Sequence, residues 1–405
     1  MGMDGEIDYR SYTRQQLEDA LARIDRTLYP RNYQNLLAEL ERRRAADQGA
    51  AAAAATRDVA AGVVHYRPEF KATPEEYFRI WIVNLALTIA TLGIYSAWAK
   101  VRKLRYFYSS TLLAGSAFGY HADPIKILRG RIIAAALAAA YFAATRTSPR
   151  ATFAMLAVIA VATPWLVVKS RIFTMRVTSW RGLRFDFAAD YAGAYRTLLG
   201  WLLLGIVSLG VLMPRLIRER YRFIVTRSRY GATPFDCNPG IGAFYRTVLG
   251  AIGLSVALSI VLAVVMMIVG SFGKAQLAPP TLFKYLTMAV VVAWYVILLS
   301  VMQGYIHARN LNEVFSHTTL GPHRLTSRLS ATDLIFIYLR NILFIVFTLG
   351  MYTPWAQIRL TRYRLEALEL EAHGSLDDFV AATAAAVPAA AGEEISSFLD
   401  VDFGF

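Results

Sequence analysis

The most restrictive feature of the sequence is a stretch, residues 247–269, that contains no charged side chain. A helix needs about 20 apolar residues to cross the hydrocarbon core of a bilayer. A run of this length without charge therefore predicts a membrane-spanning helix. The composition agrees, because 56% of the 405 residues are hydrophobic and only 18% are charged. A chain of this length with that composition is too apolar for an ordinary soluble protein.

Further apolar runs predict that the chain crosses the membrane more than once. We identify about seven runs by hydrophobic pattern, at residues 77–99, 131–145, 151–168, 197–214, 246–270, 284–304 and 333–356. The second and third runs are joined by Arg146-Thr147-Ser148-Pro149-Arg150, and the fifth and sixth by a loop near residues 270–284 with Gly, Pro and Lys. Such short polar connections are typical of helical hairpins. We expect both hairpins to cross the membrane.

A short motif, which we call the TLG motif, recurs in three of the runs. It reads Thr91-Leu92-Gly93-Ile94-Tyr95-Ser96-Ala97-Trp98 in the first, Thr348-Leu349-Gly350-Met351-Tyr352-Thr353-Pro354-Trp355 in the last, and more weakly Ser208-Leu209-Gly210-Val211-Leu212-Met213-Pro214 in the fourth. Single Tyr and Trp residues at such positions usually anchor a helix at the headgroup level. Glycine, however, permits a turn, and threonine can satisfy a freed backbone carbonyl. We therefore predict helix breaks at Thr91, Gly93, Tyr95, Trp98, Ser208, Gly210, Thr348, Gly350, Tyr352 and Trp355.

Basic residues flank the TLG-bearing runs on both sides, although Lys and Arg usually collect in cytoplasmic loops. Two interpretations remain. In one, all runs cross the membrane and one large positive loop lies on the opposite face. In the other, the TLG-bearing segments are re-entrant or broken helices that enter and leave from the cytoplasmic side, and only the two hairpins cross. The second is favoured, because it places every large basic loop and both termini in the cytoplasm.

The net charge of +14 indicates contact with anionic lipid headgroups. The arginines lie at the ends of apolar runs and form no separate basic domain, so we expect no nucleic-acid partner. The headgroup candidates are Arg102, Lys103, Arg105, Arg129, Arg131, Arg359 and Arg362. The single cysteine, Cys237, excludes an intrachain disulfide and a cysteine-based metal site.

Polar residues inside apolar runs are functional candidates, since they are costly in a membrane. The candidates are Asn84, Arg340 and Asn341. In the alternative interpretation, Arg340 extends its charge to the interface and Asn84 joins helices by hydrogen bonds.

Catalytic chemistry has weak support in the sequence. His121 and Asp123 could act as a base and its orienting group, but no nucleophile or metal partner lies at a recognisable spacing. His317 and His323 lie in a loop without the carboxylates or cysteines of a metal site. We therefore expect no enzyme activity, no catalytic residue, no metal and no cofactor.

The predicted fold is an all-α polytopic membrane protein built from internal repeats, in four segments. Residues 1–46 form a small soluble cytoplasmic helical hairpin, 47–64 an Ala-rich linker, 65–370 the membrane domain and 371–405 an acidic, Ala-rich C-terminal tail. The similar stretches Tyr195-Arg196-Thr197 and Tyr245-Arg246-Thr247 favour duplication. Alternating residues at 178–187 and 229–235 predict short strands or interfacial loops.

The segment from Tyr77 to Arg131 resembles the YjgN-like family of bacterial inner-membrane proteins. The resemblance rests on Trp81-Ile82-Val83-Asn84, on residues 91–102, on Arg105-Tyr106-Phe107 and on Tyr120-His121-Ala122-Asp123-Pro124, with a closing motif at 352–362. It covers most of residues 65–370 and implies an inner-membrane location. It implies no established catalytic residue.

Two functions follow as hypotheses. The first is a transporter- or channel-like protein for a small molecule or lipid, with broken helices lining a cavity. The alternative is a non-transporting scaffold that binds anionic lipid and recruits a protein partner through residues 1–46 or the C-terminal tail. A homo-oligomer is open in either case.

Overall fold

The computed structural model describes residues 4, 7–9, 12, 17, 20–21, 24–25, 28–43, 62–274 and 279–386. The chain divides into two compact units, Met1–Val64 and His65–Phe405. In the first unit, a helix covers residues 30–43, and Leu17, Leu36 and Leu40 are buried together. Of the predicted linker, residues 47–61 lie outside the described residues.

The second unit contains helix pairs of two lengths, which alternate along the chain. The short pairs are α1/α2 (Pro74–Ala90 and Ser96–Ser109), α5/α6 (Tyr191–Val207 and Met213–Arg227) and α9/α10 (Ala331–Phe347 and Thr353–Glu366). The long pairs are α3/α4 (Pro124–Thr147 and Pro149–Arg176) and α7/α8 (Ile241–Lys274 and Pro280–Ser316). A final helix, α11, covers Leu376–Ala385.

Short strands separate the helix pairs, and they make the prediction of an all-α fold wrong. They are β1 (Val63–Tyr66), β2 (Glu69–Phe70), β3 (Thr111–Leu113), β4 (Ser116–Tyr120), β5 (Thr178–Trp180), β6 (Leu183–Phe187), β7 (Ser228–Tyr230), β8 (Thr233–Cys237), β9 (Thr318–Leu320), β10 (His323–Ser327) and β11 (Leu368–His373). In the described part of the chain they form one eleven-stranded sheet, whose described pairings are antiparallel. The stretches 178–187 and 229–235, left open as strands or loops, lie in β5 to β8.

The strand order shows that the sheet curves until its edges meet. The order is β1-β11-β10-β9-β8-β7-β6-β5-β4-β3-β2, so β1 and β2 are at opposite ends. Only Arg67 and Pro68 separate these two strands along the chain, and the three steps from Tyr66 to Glu69 span no more than about 11 Å. Opposite edges of the sheet are therefore held next to each other by this short connection.

Every helix pair leaves the sheet from one strand and returns to the neighbouring strand. For example, β2 precedes α1 and pairs with β3, which follows α2: Phe70 lies opposite Thr111. Likewise β4 and β5 pair across the long hairpin α3/α4, with Phe118 opposite Trp180. All the helix pairs therefore start and finish on one side, which we call the sheet side.

The helices pack in chain order as a ring, α1 to α10, which we call the helix ring. Among the described residues, extensive helix packing joins neighbours in this order. The ring closes between α1 and α10, where the hydroxyl of Tyr77 donates to the side-chain oxygen of Gln357 at 2.8 Å. The rings of Phe78 and Trp355 also meet there, with centroids 5.1 Å apart.

The core of the sheet is aromatic, and α11 packs against it. Trp180, Tyr230 and Leu370 are buried in one cluster with Phe379 of α11 packed on it. The Tyr230 hydroxyl donates to the carbonyl of Trp180 at 2.9 Å, and burial raises the pKa of Tyr230 to about 12. Part of the segment predicted as a C-terminal tail thus lies in β11 and α11, and residues 387–405 lie outside the described residues.

The long pairs have the properties of membrane-spanning hairpins. The described residues include four helices of sufficient length and hydropathy, at Pro124–Thr147, Pro149–Arg176, Ile241–Ser271 and Thr281–Ser316. At most 11% of their apolar windows is buried against the rest of the protein. Helices that are apolar on all sides and unburied need a lipid environment. These helices are the two hairpins expected to cross the membrane.

Candidate functional site

Each TLG motif forms the turn between the two helices of a short pair. Its leucine and glycine both adopt left-handed backbone conformations: φ is 50°, 52° and 49° for Leu92, Leu209 and Leu349, and 92°, 89° and 93° for Gly93, Gly210 and Gly350. Glycine accepts this conformation freely, but for a leucine it costs about 1–2 kcal/mol. Three turns therefore maintain the same strained leucine.

The hydrogen bonds of these turns are nearly identical. The glycine N–H donates to the carbonyl five residues earlier, at 2.7 Å from Gly93 and Gly350 and 2.8 Å from Gly210. The hydroxyl that opens the motif accepts the N–H four residues later: Thr91 from Tyr95 at 2.9 Å, Thr348 from Tyr352 at 2.9 Å, and Ser208 from Leu212 at 3.1 Å. In all three copies, these bonds satisfy the N–H of the glycine and the N–H two residues after it.

The tips of the turns are apolar and uncovered. Leu92, Leu209 and Leu349 are 95%, 95% and 94% exposed. The next residue but one is also exposed and apolar in each copy: Ile94, Val211 and Met351. Full exposure of an apolar side chain to water is unfavourable, and here it recurs in all three copies.

Aromatic rings follow the turn in the first and last copies. Tyr95 stacks on Trp98 with centroids 6.1 Å apart, and Tyr352 stacks on Trp355 at 5.9 Å, both with an interplanar angle of 13°. The weaker copy has no such pair. In that short pair, the Arg215 guanidinium lies 4.6 Å from the ring centroid of Trp201.

The polar residues predicted inside the apolar runs have different surroundings. Asn84 and Asn341 are buried, at 6% and 5% exposure. Arg102 donates to the Asn84 side-chain oxygen at 3.4 Å, and Arg359 donates to that of Asn341 at 3.3 Å. Arg340, in contrast, is exposed, with its guanidinium 5.8 Å from the Phe344 ring centroid.

The predicted headgroup residues divide into exposed and engaged side chains. Arg102, Arg105 and Arg129 are exposed, while Lys103, Arg131, Arg359 and Arg362 are half-buried. Among the engaged ones, Arg131 donates to the hydroxyl of Ser96, and Arg362 to the carbonyl of Ala72 at 2.9 Å. These two join neighbouring helix pairs. Arg105 and Arg129 remain accessible to a lipid surface, whereas Arg102 is exposed but also donates to Asn84.

The residues considered for catalysis have structural partners. The His121 ring contacts the Ser179 hydroxyl at 2.8 Å, and Asp123 caps α3 by accepting the Ile125 N–H at 2.9 Å. His323 packs against Phe379, with ring centroids 4.5 Å apart. In the described residues there is no group of three or more His, Cys, Asp or Glu side chains that could hold a metal ion.

Sequence reasoning missed one site, a polar cavity of about 450 Å³ between α7, α8 and the start of α9. Arg246, Arg309 and Glu313 are among its lining residues. An apolar groove of about 550 Å³ lies along α7 beyond it. In the sequence, Arg246 stands out only through the similarity of Tyr245-Arg246-Thr247 to Tyr195-Arg196-Thr197. No pattern connects it with Arg309, which is 63 positions away on another helix.

The fold and these sites define an integral membrane protein of helix pairs set on a curved sheet. Residues 65–398 match the family described as "Bacterial protein of unknown function (DUF898)". The match covers most of the chain, and the chain belongs to this family.

Similarity to curated proteins is confined to part of the chain. The chain is 31% identical over 132 residues to the inner membrane protein YjgN of Escherichia coli O157:H7. The aligned region is 31% of this chain and 32% of that protein. The YjgN of Salmonella typhimurium is 30% identical over 124 residues, 30% of this chain and 31% of that protein. The aligned part thus spans about a third of these relatives. No solved structure matches the chain.

These comparisons confirm the resemblance to the YjgN-like family. Together with the long apolar helices, they identify an integral inner-membrane protein of unknown function.

Proposed function

We propose that the protein is a lipid-binding scaffold of the inner membrane. Two long hairpins anchor it across the bilayer, and the short helix pairs enter the bilayer from the sheet side and return to it. The observation that carries the proposal is the set of turn tips, where Leu92, Leu209 and Leu349 are apolar, strained and almost fully exposed.

The dimensions of the short pairs suit insertion without crossing. Helices α1 and α9 have 17 residues each, which gives about 25 Å at 1.5 Å per residue. The hydrocarbon core is about 30 Å thick. Each pair also returns to the sheet, so its tip enters the bilayer and comes back.

Each backbone polar group left unsatisfied in the hydrocarbon costs several kcal/mol. The TLG motif reduces this cost through the bonds from the Gly93 N–H to the carbonyl of Thr88 and from the Tyr95 N–H to the hydroxyl of Thr91. The same bonds recur in the other two copies. The threonine and the glycine of the motif thereby acquire a physical role, which is to allow a turn at membrane depth. The shared geometry also supports an origin of the short pairs by internal duplication.

The charge distribution supports a cytoplasmic location of the sheet side. The sheet ends of the helices carry basic residues: Arg105 on α2, Arg176 on α4, and Arg222 and Arg227 on α6. The far ends of the long pairs carry fewer basic residues: Arg146 and Arg150 between α3 and α4, and Lys274 and Lys284 near the other turn. Cytoplasmic segments carry the excess of Lys and Arg, so both ends of the membrane domain belong in the cytoplasm.

The contacts of the intramembrane polar residues favour a scaffold over a carrier of small polar molecules. Asn84 and Asn341 are engaged by Arg102 and Arg359 within their own helix pairs. Arg340 is exposed and lies beside the ring of Phe344. A polar solute would have to displace these hydrogen bonds before it could use either amide.

A second candidate, a conduit for lipid, is favoured by the helix ring. Among the described residues, extensive packing joins neighbouring helices and not helices across the ring. A space surrounded by apolar helices suits lipid chains.

Depth measurement at the tips tests the proposal. Cys237 is replaced by alanine, and a fluorophore is attached to a single cysteine at Leu349 in vesicles containing phosphatidylglycerol. We expect quenching by lipids brominated on the acyl chain and little quenching by aqueous iodide. The matched control is Ser109→Cys, at the end of α2, which iodide should quench. Strong iodide quenching at position 349 would reject insertion.

A further inference from the structure

The cavity near Arg246 and Arg309 lies at the level where charged residues give way to apolar spans. Arg246 immediately precedes the charge-free stretch of α7. Arg309 is seven residues before the end of α8, about 10 Å from the sheet. On α8, no charged Lys, Arg, Asp or Glu lies between Lys284 and Arg309. On the sheet side of this hairpin, Arg246 and Arg309 are thus the charged residues nearest to the apolar spans, at the level where a lipid headgroup would lie.

Both guanidinium groups are accessible. Arg246 and Arg309 are exposed at the edge of the cavity, and the described residues provide neither with an ion-pair partner. Arg309 lies over the Tyr305 ring, 5.1 Å from its centroid. The carboxylate of Glu313 is in the same cavity but accepts the Gly240 N–H at 2.8 Å and lies 3.5 Å from the His317 ring. An anion of phosphate size would complement the two arginines.

The apolar groove continues from this cavity along one face of α7. Ala243 and Thr247 line the cavity, and Ala251, Ser255, Ser259 and Ala263 line the groove, each four residues further along the helix. From residue 248 to 263 the groove extends about 22 Å along the helix axis. That is more than half the hydrocarbon thickness of about 30 Å, so it accommodates the length of an acyl chain.

We propose that this cavity and groove bind one anionic phospholipid. Its phosphate contacts Arg246 and Arg309, and one acyl chain lies along α7. The inference deepens the proposed scaffold function and rests on it for the placement of α7 and α8 across the bilayer. A charged cavity joined to an apolar groove selects a molecule with both parts, and a soluble phosphate matches only the first.

The full chain, purified in detergent, is titrated with dioleoyl phosphatidylglycerol, and bound lipid is counted by native mass spectrometry. We expect one tightly held lipid, and binding about 30-fold weaker in the double variant Arg246→Gln/Arg309→Gln, since each basic residue near an anionic surface contributes about a factor of five. Glycerol 3-phosphate should not compete. Phosphatidylcholine should bind no better than the double variant binds phosphatidylglycerol.

Matched controls come from the chain itself. Arg196→Gln alters the exposed arginine of the similar Tyr195-Arg196-Thr197 stretch and should leave the affinity unchanged. Ser259→Phe fills the groove and should weaken binding at least tenfold, whereas Ala257→Phe, outside the groove lining, should not. Unchanged binding in the double variant, an equal loss with Arg196→Gln, or competition by glycerol 3-phosphate would overturn the proposal.

The quenching of the label at position 349 tests whether the tips insert, independently of whether the phospholipid binds at Arg246 and Arg309. If the tips insert and the double variant binds lipid normally, only the site is wrong. If the tips lie in water while the double variant loses one lipid, only the insertion of the short pairs is wrong.

Discussion

Arg102 binds the buried amide oxygen of Asn84 from the opposite helix of its pair, 18 residues along the chain and 3.4 Å away. Arg359 holds Asn341 with the same spacing, at 3.3 Å. Arg359 also donates to the Tyr352 hydroxyl at 2.7 Å. The buried asparagines of α1 and α9 are therefore the partners of arginines on the returning helices α2 and α10. Each asparagine–arginine contact joins the two helices of its short pair.

Replacement of Asn341 by leucine should destabilise the protein by about 1–3 kcal/mol, since it removes the acceptor of a half-buried charge. The thermal unfolding midpoint in detergent measures the effect. The double variant Asn341→Leu/Arg359→Leu should lose less than the sum of the single variants. Arg340→Gln, at the exposed neighbouring position, should change the midpoint little. Strictly additive losses would show that the two side chains are not coupled.

Close packing of the long pair α7/α8 gives a second prediction. A Cβ atom on Gly250 would collide with the hydroxyl of Tyr305, whereas one on Gly253 would meet open space. Gly250→Ala should therefore destabilise the hairpin by about 1–3 kcal/mol, and Gly253→Ala should not. Tyr305→Phe, which removes the hydroxyl, should restore part of the loss. Equal unfolding midpoints for the two alanine variants would contradict this packing.

The sequence sufficed for the long helices because each contains enough apolar residues to be recognised locally. Residues 247–269 determine a span without reference to any other part of the chain. The TLG motif was also readable as a break, since the demands of Gly93 and Thr91 are local. The choice between a crossing and a re-entrant segment was not local, because it depends on which strands pair.

The sheet was missed for the same reason. Strands such as Thr318–Leu320 have three residues, too few to show a periodicity of their own. Their partners lie beyond a long hairpin, as Phe118 does from Trp180. The cavity of Arg246 and Arg309 likewise exists only once α7 and α8 are adjacent. Both features depend on residues that are far apart in the sequence, so no local pattern predicts them.

The buried His323 should make stability depend on pH. Neither ring nitrogen has a hydrogen-bond partner among the described residues, and burial, followed by repulsion from His373, lowers the pKa of His323. The unfolded chain takes up a proton near pH 6.5, while the folded chain resists it. Stability should therefore be constant above about pH 7 and fall as the pH decreases below 6.5.

Unfolding midpoints between pH 7.5 and 5 check this expectation. His323→Leu retains the contact with Phe379 without a titratable group, so the fall attributable to this position should disappear. The control variant His317→Gln, at an exposed position, should show the same fall in the unfolding midpoint as the wild type. A wild-type midpoint that rises on acidification, or an unchanged slope in His323→Leu, would contradict the assignment to His323.

Labelling of single cysteines tests the topology of the whole membrane domain. Cys237 is fully buried, and burial raises the pKa of its thiol, so Cys237→Ala is the apolar background for the experiment. Impermeant maleimide applied from the periplasmic side should label Ser148→Cys, between α3 and α4, and Ser271→Cys, near the end of α7. It should not label Ser109→Cys or Ser228→Cys.

Positions 109 and 228 should stay unlabelled because the two strands on either side of a TLG-bearing helix pair are hydrogen-bonded to each other. Glu69 lies opposite Leu112 before and after α1/α2, and Phe187 lies opposite Ser228 on either side of α5/α6. If such a pair crossed the bilayer once, these partners would be on opposite faces and could not hydrogen-bond. Labelling of position 109 or 228 from outside would therefore contradict both the re-entrant topology and the sheet itself, whereas labelling of 148 and 271 alone agrees with both.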